Sequence, residues 1–288
     1  MMKYSHKIRR ADFAGSWYPD QAETCIQEIT SFPSLKKAIS SPEKKIGGIV
    51  PHAGWFFSGE IAATVIAHLA LANPNADTAV IFGMHLGSND GNYIMRHGGW
   101  ETPLGPLQVD EEFTEGLAKQ LKFIQETPDN YRPDNAVELQ LPFIKYFFKE
   151  IKIIAIGVPP NNESIDLGEK IVGMAQKLNR RIIVLGSTDL THYGPNYNFM
   201  PKGSGKDALQ WVKTENDRII IDHFITLQPH EVIYSASRYR NSCCAGAAAS
   251  AISVAKCLEA KQGTLLQYGT SYEKHPNYSF VGYAGVVF

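Results

Sequence analysis

The residues in this sequence whose types and spacing could do chemistry are histidines, thiols and one acid, each placed just after a short apolar run. Ile49-Val50 leads into Pro51-His52-Ala53-Gly54, and Val80-Ile81-Phe82 leads into Gly83-Met84-His85. Ile182 to Leu185 leads into Gly186-Ser187-Thr188-Asp189-Leu190-Thr191-His192-Tyr193-Gly194, so a third histidine follows an acid by three positions. A fourth place is Ser242-Cys243-Cys244-Ala245-Gly246, a thiol pair at a predicted helix start, where the helix dipole favours thiolate. His52, His85 and one of the two thiols make a three-ligand metal set. Imidazole and thiolate both suit zinc, iron or copper, and three protein ligands leave one coordination position open. Successive side chains diverge, so one cysteine of the pair is expected to face the site. Asp189 either caps a turn or orients the His192 imidazole for general acid/base work. Glu138, inside an apolar run, is expected to be paired, either holding a metal-ligating histidine or serving as a ligand itself.

These residues need a scaffold, and the hydrophobic pattern supplies one. Strands are predicted at Ile46 to Val50, Thr78 to Phe82, Asn92 to Arg96, Ile151 to Val158, Arg181 to Leu185, Leu265 to Tyr268 and Phe280 to Phe288. Between them, Ile61, Val65, Ile66 and Leu69 recur at helical spacing, as do Phe113, Leu117 and Leu121 after a possible N-cap at Asp110. Further helices are predicted over Glu138 to Lys149, Ile165 to Leu178, Gln210 to Phe224 and Ala245 to Leu258, the last rich in small residues. Strands alternating with helices imply an α/β sheet covered on its faces, and ligands of such sheets collect beyond the carboxyl ends of the strands. Gly83 to Gly91 and Gly194 to Asp207 read as loops. No repeat or linker divides the chain, so residues 1 to 288 are expected to form one domain.

Composition narrows the partners. Across 288 residues, 28 Lys and Arg against 29 Asp and Glu leave a formal charge of -1, too little field to hold nucleic acid or an acidic membrane surface. A small-molecule or peptide ligand in a cleft fits better. Four cysteines without a CxxC indicate neither a disulfide framework nor a structural zinc ribbon, and a cytoplasmic, reducing setting is expected. The stretch Cys243 to Ala255 is too short to span a membrane, and no membrane helix is expected. His68, His97, His223, His230 and His275 are assigned to structure or surface, His6 to solvent, and Cys25 and Cys257 to packing. Trp17-Tyr18-Pro19 reads as an aromatic anchor or a pocket wall.

Taken in order, Ala14-Gly15-Ser16-Trp17-Tyr18-Pro19, Pro51-His52-Ala53-Gly54, Thr102-Pro103-Leu104-Gly105, Glu138-Leu139-Gln140-Leu141-Pro142-Phe143, Ser187 to Gly194 and Cys244 resemble the Memo family. The resemblance runs from about Ala11 to Phe288. It implies a single three-layer α/β domain, a central mixed sheet with helices on both faces, similar to the class III extradiol ring-cleaving dioxygenases. It also implies iron or copper held by His52, His85 and Cys244, rather than Cys243, with Asp189 and His192 completing the cleft and His192 as acid/base. Two stretches depart from the family's usual pattern: the turn Gly83-Met84-His85 is one residue shorter, and Asp134-Asn135-Ala136-Val137 replaces a histidine and a hydroxyl.

Three activities follow as expectations. The first is a metal-dependent oxidoreductase using iron or copper, with zinc as a third fitting metal. The second is a non-catalytic protein that keeps a dioxygenase-like cleft for a ligand or a protein partner. The third is a cysteine hydrolase built from Cys244, His192 and Asp189.

Overall fold

The computed structural model describes residues 7–36, 45–148 and 150–288; His6 and Lys149 lie outside them. Its centre is a mixed sheet of nine strands. Four parallel strands form the middle: β2 (Gly47–Val50), β9 (Ile182–Ser187), β3 (Thr78–Gly83) and β8 (Lys152–Gly157), side by side in that order. On the β2 side the long strand β12 (Phe280–Val287) runs antiparallel, and β10 (His192–Tyr193) and β11 (Thr264–Thr270) both pair with it. On the β8 side, β4 (Tyr93–Met95) runs antiparallel and carries β7 (Ile124–Glu126) beside it. A small second sheet joins β1 (Ile8–Arg9), β5 (Gly99–Trp100) and β6 (Leu107–Gln108).

The alternation in β3 shows why helices cover both faces. Val80 and Phe82 enter one core and Ala79 and Ile81 the other, and each is fully buried. The first core is closed by α3 (Glu111–Ala118), α6 (Asn162–Lys177), α8 (Asp217–Ile225), α9 (Pro229–Tyr239) and α10 (Ala245–Cys257). The second is closed by α1 (Ala22–Ser31), α2 (Trp55–Ala72) and α5 (Leu141–Phe147). The chain is therefore a central mixed sheet with helices on both sides, an α/β domain. The small residues of α10 let it lie close on α6. There the two serines that interrupt its apolar run donate to Ser164 O at 2.7 Å and Ile165 O at 2.6 Å.

All seven predicted strands are present, with ends shifted by one to two residues. The helices differ more. The predicted helix from Glu138 is broken into α4 (Asn135–Glu138) and α5, because Pro142 can begin a helix and cannot continue one. Gln210 to Phe224 holds α7 (Lys206–Trp211), a π-helical turn over Val212–Asn216 and α8. Neither α1 nor α9 was expected. The helix α2 is long and apolar enough to cross a membrane by composition, a feature the sequence reading passed over, yet 61% of it is buried against the sheet and α5. It is a core helix, apolar nearly all round because both of its sides are covered.

Candidate metal centre

The strands β2, β9 and β3 are neighbours and parallel, so the segments leaving their carboxyl ends arrive at one place. His52 follows β2, His85 follows β3 and Asp189 follows β9. The loop before α10 brings both cysteines to the same point. One ligand atom each from His52, His85, Cys243 and Cys244 lies within 4.8 Å of the others. The two imidazole centroids are 4.9 Å apart with rings at 73°.

The hydrogen bonds fix the tautomers. Ser187 Oγ donates its only proton to Ala136 O at 2.6 Å, so towards His52 Nδ1, 3.0 Å away, it can only accept. His52 therefore carries a proton on Nδ1 and points Nε2 at Cys243 Sγ, 3.2 Å away. At His85, Asp134 Oδ2 accepts from Nδ1 at 2.9 Å and from the backbone N at 2.9 Å. A carboxylate only accepts, so His85 also keeps a proton on Nδ1 and turns Nε2 towards the cluster. Imidazoles with Nδ1 engaged by an acceptor and Nε2 turned to a common point are prepared as ligands. His52 is 2% exposed, whereas the His85 side chain is 41% exposed and forms the open side of the cluster.

The resemblance assigned the thiolate to Cys244. The structure brings Cys244 into the cluster together with Cys243, whose Sγ is 3.2 Å from His52 Nε2. Both sulfurs reach the cluster, contrary to the expectation that one would turn away. Cys244 is the N-cap of α10 with φ -125° and ψ 56°, so the pair does not yet follow helical geometry. Burial alone would push the Cys243 thiol up, but the Cys244 thiol and the two imidazoles hold it well below the usual thiol value. Cys244 moves the other way, because its proton is committed to Cys243 and it is buried. His85 is held protonated up to about 10, first by the Asp134 carboxylate and then by Cys243, against the opposing effect of burial, so a metal bound there would take the place of the Nε2 proton.

The short turn before His85 still delivers its imidazole, through Met84. Met84 adopts φ 72°, a left-handed conformation unusual for a residue with a side chain, and that side chain fills the space over Gly157. A Cβ on Gly157 would lie 2.2 Å from Met84 Sδ.

Asp189 and His192 share the cleft without bonding each other. Asp189 Oδ1 accepts from His52 N at 2.7 Å, so it fixes the His52 turn. His192 Nδ1 donates to Leu190 O at 3.1 Å, which leaves its Nε2 bare, and its ring meets Tyr197 edge-on at 4.9 Å. The aspartate expected to orient His192 thus orients the His52 backbone, and the Leu190 carbonyl sets the His192 tautomer. Glu138 is paired as expected, but with neither a histidine nor the cluster. It accepts from Asp12 N at 3.0 Å, Phe13 N at 2.7 Å and the Tyr18 hydroxyl at 3.0 Å, tying down the N-terminal segment. Tyr18 and Trp55 stack at 5.4 Å, while Trp17 faces the cleft.

Above the cluster opens a cleft of about 540 Å³ lined by His52, His85, Asp189 and His192 together with Asn135, Tyr197 and Tyr283. His275, assigned above to structure or surface, also lines it. Of the other residues set aside, His97 pairs with Glu111 and Glu115, Cys25 is buried, and Cys257 is exposed at the end of α10 rather than packed. Sequence reasoning gave no role to Asp134 and Ser187. Asp134 carries a local sign, its capping of α4 through Ala136 N at 2.9 Å, but its bond to His85 spans 49 positions.

The Memo-like protein family profile matches residues 9–287. A MEMO1 family protein of Methanopyrus kandleri is 31% identical over 96% of this chain and 96% of its own length. One from Pyrococcus furiosus is 31% identical over 97% of this chain and 98% of its own, and one from Methanocaldococcus jannaschii 30% over 98% and 99%. With the family profile matching nearly the whole chain and relatives about 30% identical along their whole length, this chain belongs to the Memo family.

Proposed function

We propose that the protein is a metal-dependent oxidoreductase acting on a small molecule in the cleft, with iron or copper held by His52 Nε2, His85 Nε2 and Cys243 Sγ. The observation that carries this reading is the convergence of ligand atoms from two imidazoles and two thiols within 4.8 Å of one another, each ring fixed from behind by Ser187 or Asp134. The donor set fits the metals. Two imidazoles and a thiolate suit iron, copper or zinc, and the soft sulfur sets the site apart from a two-histidine, one-carboxylate centre. When bound, the metal would supply one-electron redox chemistry and a Lewis acid at the floor of the cleft.

The chain's own residues have separate tasks. Ser187 and Asp134 hold the two imidazoles in the ligand tautomer and raise their basicity. Asp189 fixes the backbone of the His52 turn. His192, with Nδ1 engaged and Nε2 bare, is the group placed to take or give a proton at a substrate in the cleft. Aromatic rings of Trp17, Tyr197 and Tyr283 offer a wall for an organic ligand and limit water. Four free cysteines accord with a reducing, cytoplasmic setting.

Metal analysis of protein purified without chelator tests the site, and oxygen-consumption assays with catechols and simple reductants test turnover. Stoichiometric metal that is lost in His52→Ala and in Cys243→Ser, with turnover abolished in His192→Ala, is the expected result. Full metal retention in both ligand variants would refute the site. Metal without turnover would leave a ligand-binding protein.

A further inference from the structure

We propose that Cys243 and Cys244 form a reversible oxidative modification site, a vicinal dithiol that a hydroperoxide converts to a disulfide within the chain. The two thiols are neighbours in sequence, both free, and their sulfurs lie within 4.8 Å of each other. Cys243 is part-exposed beside the two imidazoles, whereas Cys244 is 4% exposed. Cys243 Sγ sits 3.2 Å from the Nε2 of His52, which lines the cleft, so an oxidant passing that imidazole reaches Cys243 with the second sulfur within 4.8 Å. No other thiol can take that role: Cys257 is at the far end of α10, about 20 Å away at about 1.5 Å per residue.

The chemistry balances with a hydroperoxide as the named oxidant. A lone pair of Cys243 Sγ attacks the terminal peroxide oxygen, the S–O bond forms as the O–O bond breaks, and the thiol proton leaves with the displaced oxygen as water or alcohol. Cys243 is then a sulfenic acid, oxidised by two electrons. Cys244 Sγ attacks that sulfur, an S–S bond forms, and the hydroxyl leaves as water with the Cys244 proton. Consecutive Cα atoms are about 3.8 Å apart, closer than most disulfides allow, so the bond is strained and easily reduced. The non-helical backbone of Cys244 gives the small ring room to close before α10 begins. A consequence resting on the metal reading above is that the disulfide withdraws Cys243 from the metal, and bound metal shields the thiols.

The test treats metal-free protein with hydrogen peroxide, then counts thiols under denaturing conditions and maps the peptide containing residues 243 and 244 by mass. The expected result is a fall from four free thiols to two, the loss of two hydrogens from that peptide, and full reversal by dithiothreitol. Cys244→Ser and Cys244→Ala should both stop at a sulfenic acid trapped by dimedone, and Cys243→Ser should not react there. Sulfinic acid at Cys243 with Cys244 still free, or disulfides between chains only, would overturn the proposal. A parallel arm preloaded with zinc keeps the two readings apart. Disulfide formation without protection by zinc upholds the thiol pair and counts against the metal site, whereas tight zinc binding without disulfide formation does the reverse.

Discussion

Replacing Asp134 by Asn is the sharpest probe of how the cluster is prepared. One carboxylate oxygen takes two donors, His85 N and Nδ1, both at 2.9 Å, while the other takes Ala136 N at 2.9 Å. Burial pushes the Asp134 carboxyl up, but the His85 imidazole and the backbone donors outweigh it, so the group stays ionised. An amide is nearly the same shape but presents an NH2 in one of the two places, so one donor must confront another. If the NH2 faces His85, the imidazole proton is driven to Nε2 and the ligand lone pair is masked. If it faces Ala136, the cap of α4 is lost, at about 1 kcal/mol. The change should weaken metal binding by roughly 10- to 100-fold, or about 1.4 to 2.7 kcal/mol. A competition titration with a chromophoric chelator near neutral pH measures it, using zinc or copper, with the unfolding curve as a control for folding. A folded Asp134→Asn protein with affinity within about twofold of the parent would refute the claim that Asp134 prepares His85.

Three further outcomes follow from buried polar groups. Burial raises the Asp217 carboxyl to about 6, although Thr191 and Tyr268 donate to it, so it favours the folded state while protonated and loses that contribution as pH climbs through about 6. From an ordinary value of 3.8 this amounts to about 3 kcal/mol between acid and neutral pH, and denaturant unfolding of Asp217→Asn should show a flatter pH dependence. Gly282→Ala would put a Cβ 1.9 Å from Asp217 Oδ2, and a loss of about 3 kcal/mol or more in the same assay is expected; a loss below about 1 kcal/mol would show that the packing can yield. Glu138→Gln turns an NH2 towards one of three donors at about 1 to 3 kcal/mol, and faster proteolysis within residues 11 to 18 should report the loosened segment.

The amino-acid sequence by itself determined the layered α/β architecture and the strand-end places of His52, His85, Asp189 and His192. Alternation and strand-to-turn transitions are local, and parallel neighbours carry such turns to one edge of the sheet. The tertiary structure decided what those residues hold. Ser187 is 135 positions from His52, Asp134 is 49 from His85, and Cys243 is 191 from His52, distances at which periodicity carries no information. Spacing likewise could not say which cysteine faces the imidazoles, because that depends on the backbone of Cys244 just ahead of α10. Nor could it show that Met84 takes a left-handed turn to bring His85 in, since that turn is stable only where Gly157 leaves space for the Met84 side chain.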